Sequence, residues 1–86
     1  MYNNLFLRSM EVKVLGTGCS KCKTLYNVVE KIVRENNLDV TLTKIEDIVQ
    51  IMAFNVMSLP AIVIDGEVKV KGRVPSESEI RDMLGL

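Results

Sequence analysis

The sequence predicts an α/β domain with the element order β-α-β-α-β-β-α, a four-stranded mixed sheet and helices on both faces. Apolar stretches with the two-residue period of strands alternate with stretches whose apolar residues recur every three or four positions, as on one face of a helix. Near the end of the chain, Asp65-Gly66 separates two short strands and is a hairpin signal. We expect one domain over residues 10–86 of the 86-residue chain, preceded by an N-terminal arm, residues 1–9.

The first half of the chain supplies two strands and two helices in alternation. The first helix carries an apolar stripe and ends at two asparagines, a residue type that tolerates the left-handed conformation. In the second strand apolar residues alternate with threonines, and helical spacing returns from Ile45 onwards. The predicted bounds are Met10–Leu15, about Ser20 to Glu35, about Asp39 to Thr43, and Ile45 to Phe54-Asn55.

The second half supplies a hairpin and a closing helix. Ala61–Ile64 is a wholly apolar strand, and Glu67–Lys71 alternates so that its two valines should face one way. Ser76 and Glu79 form a capping box at the start of the last helix. Short strand-helix-strand connections favour parallel pairing of the first three strands, and the hairpin then adds an antiparallel edge strand.

Composition excludes several classes of function. Lysine plus arginine equals aspartate plus glutamate at 11 each, so no net charge draws the chain to nucleic acid or to an anionic membrane. Residues 1–9 contain only three consecutive apolar residues with no basic stretch before them, too few for a signal peptide or a membrane span. We therefore expect a cytoplasmic protein with no nucleic-acid and no membrane partner, and we expect a monomer.

The residues most able to carry out a reaction lie in Gly16–Lys23. Within this segment, Cys19 and Cys22 stand at a strand-to-helix junction. The unpaired N–H groups and dipole of a helix start stabilise a thiolate by about 0.3–2 kcal/mol, and Lys21 and Lys23 add positive charge. A useful fraction of Cys19 is then expected to be the nucleophilic thiolate near neutral pH. Cys19, at the solvent-facing start, is predicted to attack a partner's disulfide, and the more shielded Cys22 to resolve the mixed disulfide.

Other interpretations of the cysteine pair stay open. The same two thiolates could bind a soft metal, Cu(I) or zinc, although a chain without histidine would need a second chain's cysteines to complete a zinc site. A weaker alternative is an adaptor in which the pair is regulatory. Two small buried hydrophobic residues are the plainest interpretation, which fits poorly with C-x-x-C spacing at a junction. Met52, Met57 and Met83 are expected to fill gaps in the core.

The C-x-x-C pair opening the first helix, the proline entering the third strand and the element order together resemble the thioredoxin and glutaredoxin fold. The segments Gly18–Cys22, Val56–Ala61 and Val63–Ser76 are similar to the small thioredoxin-like proteins called redox-active disulfide protein 2. The resemblance runs from about Glu11 to the C-terminus. Two departures stand out: Ser20-Lys21 lies between the cysteines, and Lys13 occupies the position where many thioredoxins have a buried aspartate.

The resemblance implies a thiol-disulfide oxidoreductase whose Cys19–Cys22 pair cycles between disulfide and dithiol. Its substrates would be protein disulfides, an unidentified reductase would supply electrons, and no cofactor or metal would be bound. A cis peptide bond is implied before Pro60. Proline offers no N–H donor, while the exposed backbone of Leu59 can pair with an extended substrate segment. The residues expected to frame the substrate contact are Thr17, Gly18, Ser20, Lys21, Leu59 and Pro60.

Overall fold

The computed structural model of the chain describes residues 10–86, so the predicted N-terminal arm, residues 1–9, lies outside the described residues. The elements are β1 (Met10–Leu15), α1 (Ser20–Glu35), β2 (Val40–Ile45), α2 (Ile48–Met52), β3 (Ala61–Ile64), β4 (Glu67–Lys71) and α3 (Glu77–Met83). The strands form one four-stranded sheet in the order β2-β1-β3-β4. The predicted α/β fold with a mixed sheet is confirmed.

The direction of β3 differs from the prediction. β1 and β2 are parallel, but β3 runs antiparallel to β1 as well as to β4. Leu15 pairs both with Ile45, the last residue of β2, and with Ala61, the first residue of β3. The connection of residues 46–60 therefore returns the chain at the end of the sheet where β2 stopped, and β3 runs the other way.

One end of the sheet collects the loops that matter below. Leu15 pairs with Ile45 of β2 and with Ala61 of β3, and Ala61 pairs in turn with Lys71 of β4. We call this row of four residues the upper end of the sheet. The loops that follow β1, β2 and β4 and the loop that precedes β3 all adjoin it.

The boundary between β2 and α2 also differs from the prediction. The strand continues through Ile45, because this residue pairs with Leu15 and its carbonyl accepts a hydrogen bond from the Gly16 N–H at 3.0 Å. Asp47 caps α2, and its carboxylate accepts from the Val49 N–H at 2.9 Å. The helical spacing that begins at Ile45 in the sequence therefore overestimates the length of α2.

Helices cover both faces of the sheet. Alternate residues of β1 and β3 face opposite ways, and each set packs into its own buried cluster. On the face covered by α1 and α3 the buried residues are Val12, Val14, Leu25, Val29, Ile32, Ile62, Ile64, Ile80 and Leu84. On the face covered by α2 they are Leu15, Ile51, Val56, Ala61 and Val63. The predicted helices on both faces are confirmed.

A β-bulge changes the orientation of β4. Ile62 pairs with Val70, but the next residue, Val63, pairs with Val68, so Lys69 is left over. As a result Val70 packs against the cluster under α1 and Val68 against the cluster under α2. The prediction that both valines face one way is wrong, since simple alternation takes no account of an inserted residue.

The start of α3 is held as predicted. The Ser76 hydroxyl accepts from the Glu79 N–H at 3.1 Å, and the Glu79 carboxylate accepts from the Ser76 N–H at 2.9 Å. The Arg73 guanidinium donates to both oxygens of the same carboxylate, at 2.9 and 2.7 Å. Hydrogen bonds first from Arg73 and then from Ser76 lower the pKa of Glu79 to about 2.

None of the helices in residues 10–86 is long and apolar enough to cross a bilayer.

Candidate active site

The cysteine pair lies where β1 passes into α1. Cys19 is the N-cap of α1 with extended backbone (φ −71°, ψ 166°), and its Sγ accepts a hydrogen bond from the Cys22 N–H at 3.3 Å. A disulfide joins the two residues, whose Cα atoms are 5.2 Å apart. Because the Cys19 sulfur takes the position of a capping oxygen, it receives an N–H that the helix leaves unpaired. This contact favours negative charge on Cys19.

The two sulfur-bearing residues differ in exposure. Cys19 is exposed, whereas Cys22 is 5% exposed. Gly16 covers the inner cysteine: a Cβ built on Gly16 would lie 2.6 Å from the Cys22 Cβ and would also overlap its Sγ. The Gly16 N–H is bonded to the Ile45 carbonyl at 3.0 Å, so the backbone is fixed in this position. Glycine is therefore required here by close approach.

The proline segment reaches the same end of the sheet. The Leu59-Pro60 peptide bond is cis, and Pro60 is fully buried. The Pro60 carbonyl accepts from the Gly72 N–H at 2.9 Å, which ties the loop before β3 to the loop after β4. Pro60 directly precedes Ala61, the partner of Leu15, and Gly16 directly follows Leu15. The topology thus brings the loop of the cysteines and the proline loop together at the upper end.

Comparison with known proteins identifies the family. A family profile described as Thioredoxin domain matches residues 10–85 of the chain. The chain belongs to the thioredoxin family.

Relatives and solved structures agree with this assignment. The chain is 36% identical over 75 residues to a thioredoxin of Methanothermobacter thermautotrophicus, which covers 87% of this chain and 97% of the relative. It is 33% identical over 73 residues to a thioredoxin of Methanocaldococcus jannaschii, covering 85% of this chain and 84% of the relative. A thioredoxin variant from Halobacterium salinarum NRC-1 shares the fold, with a TM-score of 0.69 at 23% identity over 90% of this chain and 73% of that one.

Family and geometry together establish the activity. Thioredoxins act on protein disulfides and use a disulfide of their own as the redox group, and this thioredoxin-family chain has that group at Cys19–Cys22. It is a thiol-disulfide oxidoreductase. Within residues 10–86 no group of three or more histidine, cysteine, aspartate or glutamate side chains comes together in a way that could hold a metal ion.

The remaining predicted site residues lie on the two loops or at the start of α1. Thr17 is exposed and Gly18 half-buried, with a positive φ of 94° at Gly18. Ser20 and Lys21 are exposed at the start of α1. Leu59 is half-buried and packs against the cluster under α2.

Lys13 stands where the resemblance implies a buried aspartate. Its side chain is half-buried, with the Nζ 5.5 Å from the centre of the Phe54 ring. In the part of the chain that the structure describes, no charged side chain is buried.

An apolar groove beside the proline loop was not predicted. It has a volume of about 490 Å³ and is lined by Ile48, Ile51, Met52, Asn55, Val56, Met57 and Leu59. Met52 is 63% and Met57 94% exposed, so the expectation that they fill the core is wrong, whereas Met83 does pack against it. The sequence contained one signal: the apolar residues from Ile45 to Met52 exceed what a short helix can bury.

Proposed function

We propose that Cys19 is the attacking thiolate and Cys22 the resolving thiol when this chain reduces protein disulfides. The difference in exposure within one cysteine pair supports this assignment. A large substrate can reach Cys19, which is exposed, but not Cys22, which is 5% exposed and lies behind Gly16. The N–H that Cys22 donates to the Cys19 sulfur supports the same order, because it stabilises charge on the outer residue.

The reaction then follows two exchanges. The Cys19 thiolate attacks one sulfur of the substrate disulfide, forming a mixed disulfide while the other substrate sulfur leaves as a thiolate. Cys22, after losing its proton to solvent, attacks the Cys19 sulfur, forms the Cys19–Cys22 disulfide and releases the second substrate sulfur as a thiolate. Two electrons pass from the cysteine pair to the substrate, and a separate reductase returns two electrons to the pair.

We place the substrate backbone against Leu59. Within residues 10–86 the N–H and C=O of Leu59 make no hydrogen bond, so both can pair with an extended segment. Thr17, Gly18, Ser20 and Lys21 would border this segment on the cysteine side, and Pro60 would hold the loop under it. The apolar groove next to Leu59 offers space for a substrate side chain.

We further propose that the protein works in the cytoplasm as a monomer. Two cysteines at C-x-x-C spacing in a reducing compartment serve catalysis more often than structure. The equal numbers of basic and acidic residues, 11 each, support a partner that is neither nucleic acid nor an anionic membrane surface.

A redox titration tests this function. The purified protein is equilibrated in thiol/disulfide buffers, quenched by alkylation and weighed by mass spectrometry. We expect a reversible two-electron couple between about −120 and −270 mV, the range of known exchangers. A Cys22→Ser variant should show no intramolecular couple. A native pair that stays dithiol throughout, or that forms only intermolecular disulfides, would contradict the proposal.

A further inference from the structure

We propose that this site selects protein disulfides by the residues on one side of the substrate cysteine: a basic residue that faces Glu46, followed by an aliphatic side chain that enters the apolar groove. The inference rests on the proposed role of Cys19 and specifies the substrate class. It is carried by one carboxylate that approaches the cysteine loop and precedes the first groove residue, Ile48, by two positions in the chain.

The Glu46 carboxylate lies against the residue before Cys19. Glu46 follows Ile45, whose carbonyl anchors Gly16, and its Oε2 is 3.7 Å from where a Cβ of Gly18 would stand. With a Cα–Cα spacing of about 3.8 Å, the carboxylate is within about 9 Å of the Cys19 Cα. The side chain is exposed, and among residues 10–86 no lysine or arginine forms an ion pair with it. Its charge is therefore available to a substrate.

The groove begins two residues further along the chain. Ile48 and Leu59, which is next to Pro60, both line it. Ile51 is buried in its floor, while Met52 and Met57 stand 63% and 94% exposed at its rim. A substrate segment that contacts both Cys19 and this groove would lie close to Glu46, because Glu46 approaches Gly18 and stands two residues from Ile48. The groove-lining residues carry no charge, so the side chain that fits is aliphatic or methionine.

Positive charge follows Cys19 in the first turn of α1. Lys21 and Lys23 are exposed at the start of α1, and neither has an ion pair among the described residues. A basic substrate residue is thus attracted on the groove side and repelled on the helix side. Charge complementarity consequently fixes both the preferred residue and the side on which it has to stand.

Three synthetic peptides test the inference, each with one cysteine joined to thionitrobenzoate, whose release is followed by absorbance. The first has a lysine between its cysteine and a leucine, the second a glutamate at that position, and the third the lysine moved to the far side of the cysteine. The protein is reduced beforehand and freed of reductant, so that a single oxidation by each peptide gives the second-order rate constant that stands for kcat/KM. This constant is divided by the peptide's rate with 2-mercaptoethanol, which removes its intrinsic reactivity. We expect the first peptide to exceed the other two about two- to fivefold, the range of an exposed ion pair.

Variants connect the preference to the named residues. Glu46→Gln should remove the difference between the first two peptides and Glu46→Lys should invert it, whereas Glu35→Gln, which removes a carboxylate at the far end of α1, should leave it intact. Replacing the peptide leucine by serine should lower kcat/KM about tenfold in the native protein. In Met57→Asn the same replacement should have a smaller effect, since part of the rim is polar.

The outcomes separate this inference from the proposed function. Hydroxyethyl disulfide, small and uncharged, is assayed beside the peptides with the native protein. Turnover of hydroxyethyl disulfide with equal kcat/KM for all three peptides, or a preference that persists in Glu46→Gln, would overturn the selectivity alone. No turnover of any of these disulfides would overturn the proposed function and the selectivity with it.

Discussion

Substituting Gly16 by alanine should damage both stability and the redox site. The added Cβ would stand 2.6 Å from the Cys22 Cβ and overlap the Cys22 Sγ, and the Gly16 N–H bond to Ile45 prevents the loop from withdrawing freely. Overpacking of this kind costs about 1–3 kcal/mol. For a domain of this size each kcal/mol lowers Tm by roughly 4–8 °C, so we expect a decrease of about 5–20 °C.

Thermal unfolding of oxidised and reduced protein is the assay. In the dithiol form the Cys22 sulfur can rotate away, so Gly16→Ala should lower Tm more in the oxidised protein than in the reduced one. Gly66→Ala is the control: Gly66 has a φ of 85° with nothing within 4 Å of its added Cβ, so only backbone strain results. The Tm of Gly66→Ala should fall by the same amount in the oxidised and in the reduced protein. An unchanged Tm for oxidised Gly16→Ala would refute the packing argument.

Three further substitutions test the fold. Arg73 and Ser76 lower the pKa of Glu79 from 4.5 to about 2, so its charge stabilises the fold fully above about pH 4.5 and progressively less towards pH 2. The variant Glu79→Gln keeps the capping box but lacks this charge. In urea unfolding, the difference in unfolding free energy between Glu79→Gln and the native protein should therefore shrink as the pH falls from 4.5 to 2. A difference in unfolding free energy that stays constant down to pH 2 would contradict this role of the Glu79 charge. Ser76→Ala should lower the unfolding free energy by about 0.5–2 kcal/mol, whereas the control Ser78→Ala, at a serine that does not cap the helix, should lower it by less than about 0.5 kcal/mol. Equal losses in the two variants would contradict the assignment of Ser76 as the cap. Ile51→Ala, at a fully buried position, should lower the unfolding free energy by about 2–5 kcal/mol. Val49→Ala, at a position that is 71% exposed, should lower it much less. The reverse order would contradict the packing of Ile51 into the core.

Elements with strong local signals were predicted well. α1 begins and ends where its apolar stripe and the asparagines indicate, and Asn37 has the left-handed φ of 50° that such an end requires. The turn Asp65-Gly66 has positive φ at both residues, 50° and 85°, as a two-residue hairpin demands. Each of these features depends on residues close in sequence.

Features that depend on distant pairing were not predictable in the same way. The end of β2 is set by Leu15 and Gly16, which lie in another strand and its loop. Nor does the local pattern specify that β3 returns antiparallel, because this depends on which end of the sheet the connection of residues 46–60 reaches. The bulge at Lys69 likewise arises from the register with Ile62 and Val63.

In the candidate site, too, features set by nearby residues could be predicted and features set by distant contacts could not. Cys19, Cys22 and Pro60 could be named from spacing and order, because the chemistry of a helix start and of an X-Pro bond is local. The approach of Glu46 to Gly18 and the exposure of Met57 could not, since each is created when loops from different strands meet at the upper end.

Trapping of the mixed disulfide tests the central claim most directly. Reduced Cys22→Ser and Cys19→Ser proteins are each mixed with insulin, quenched with acid and analysed by mass spectrometry and peptide mapping. We predict that Cys22→Ser accumulates a covalent adduct between Cys19 and an insulin chain, whereas Cys19→Ser, whose remaining thiol is 5% exposed, forms none. An adduct through Cys22 alone, or no adduct with either variant, would contradict the assignment of Cys19 as the nucleophile.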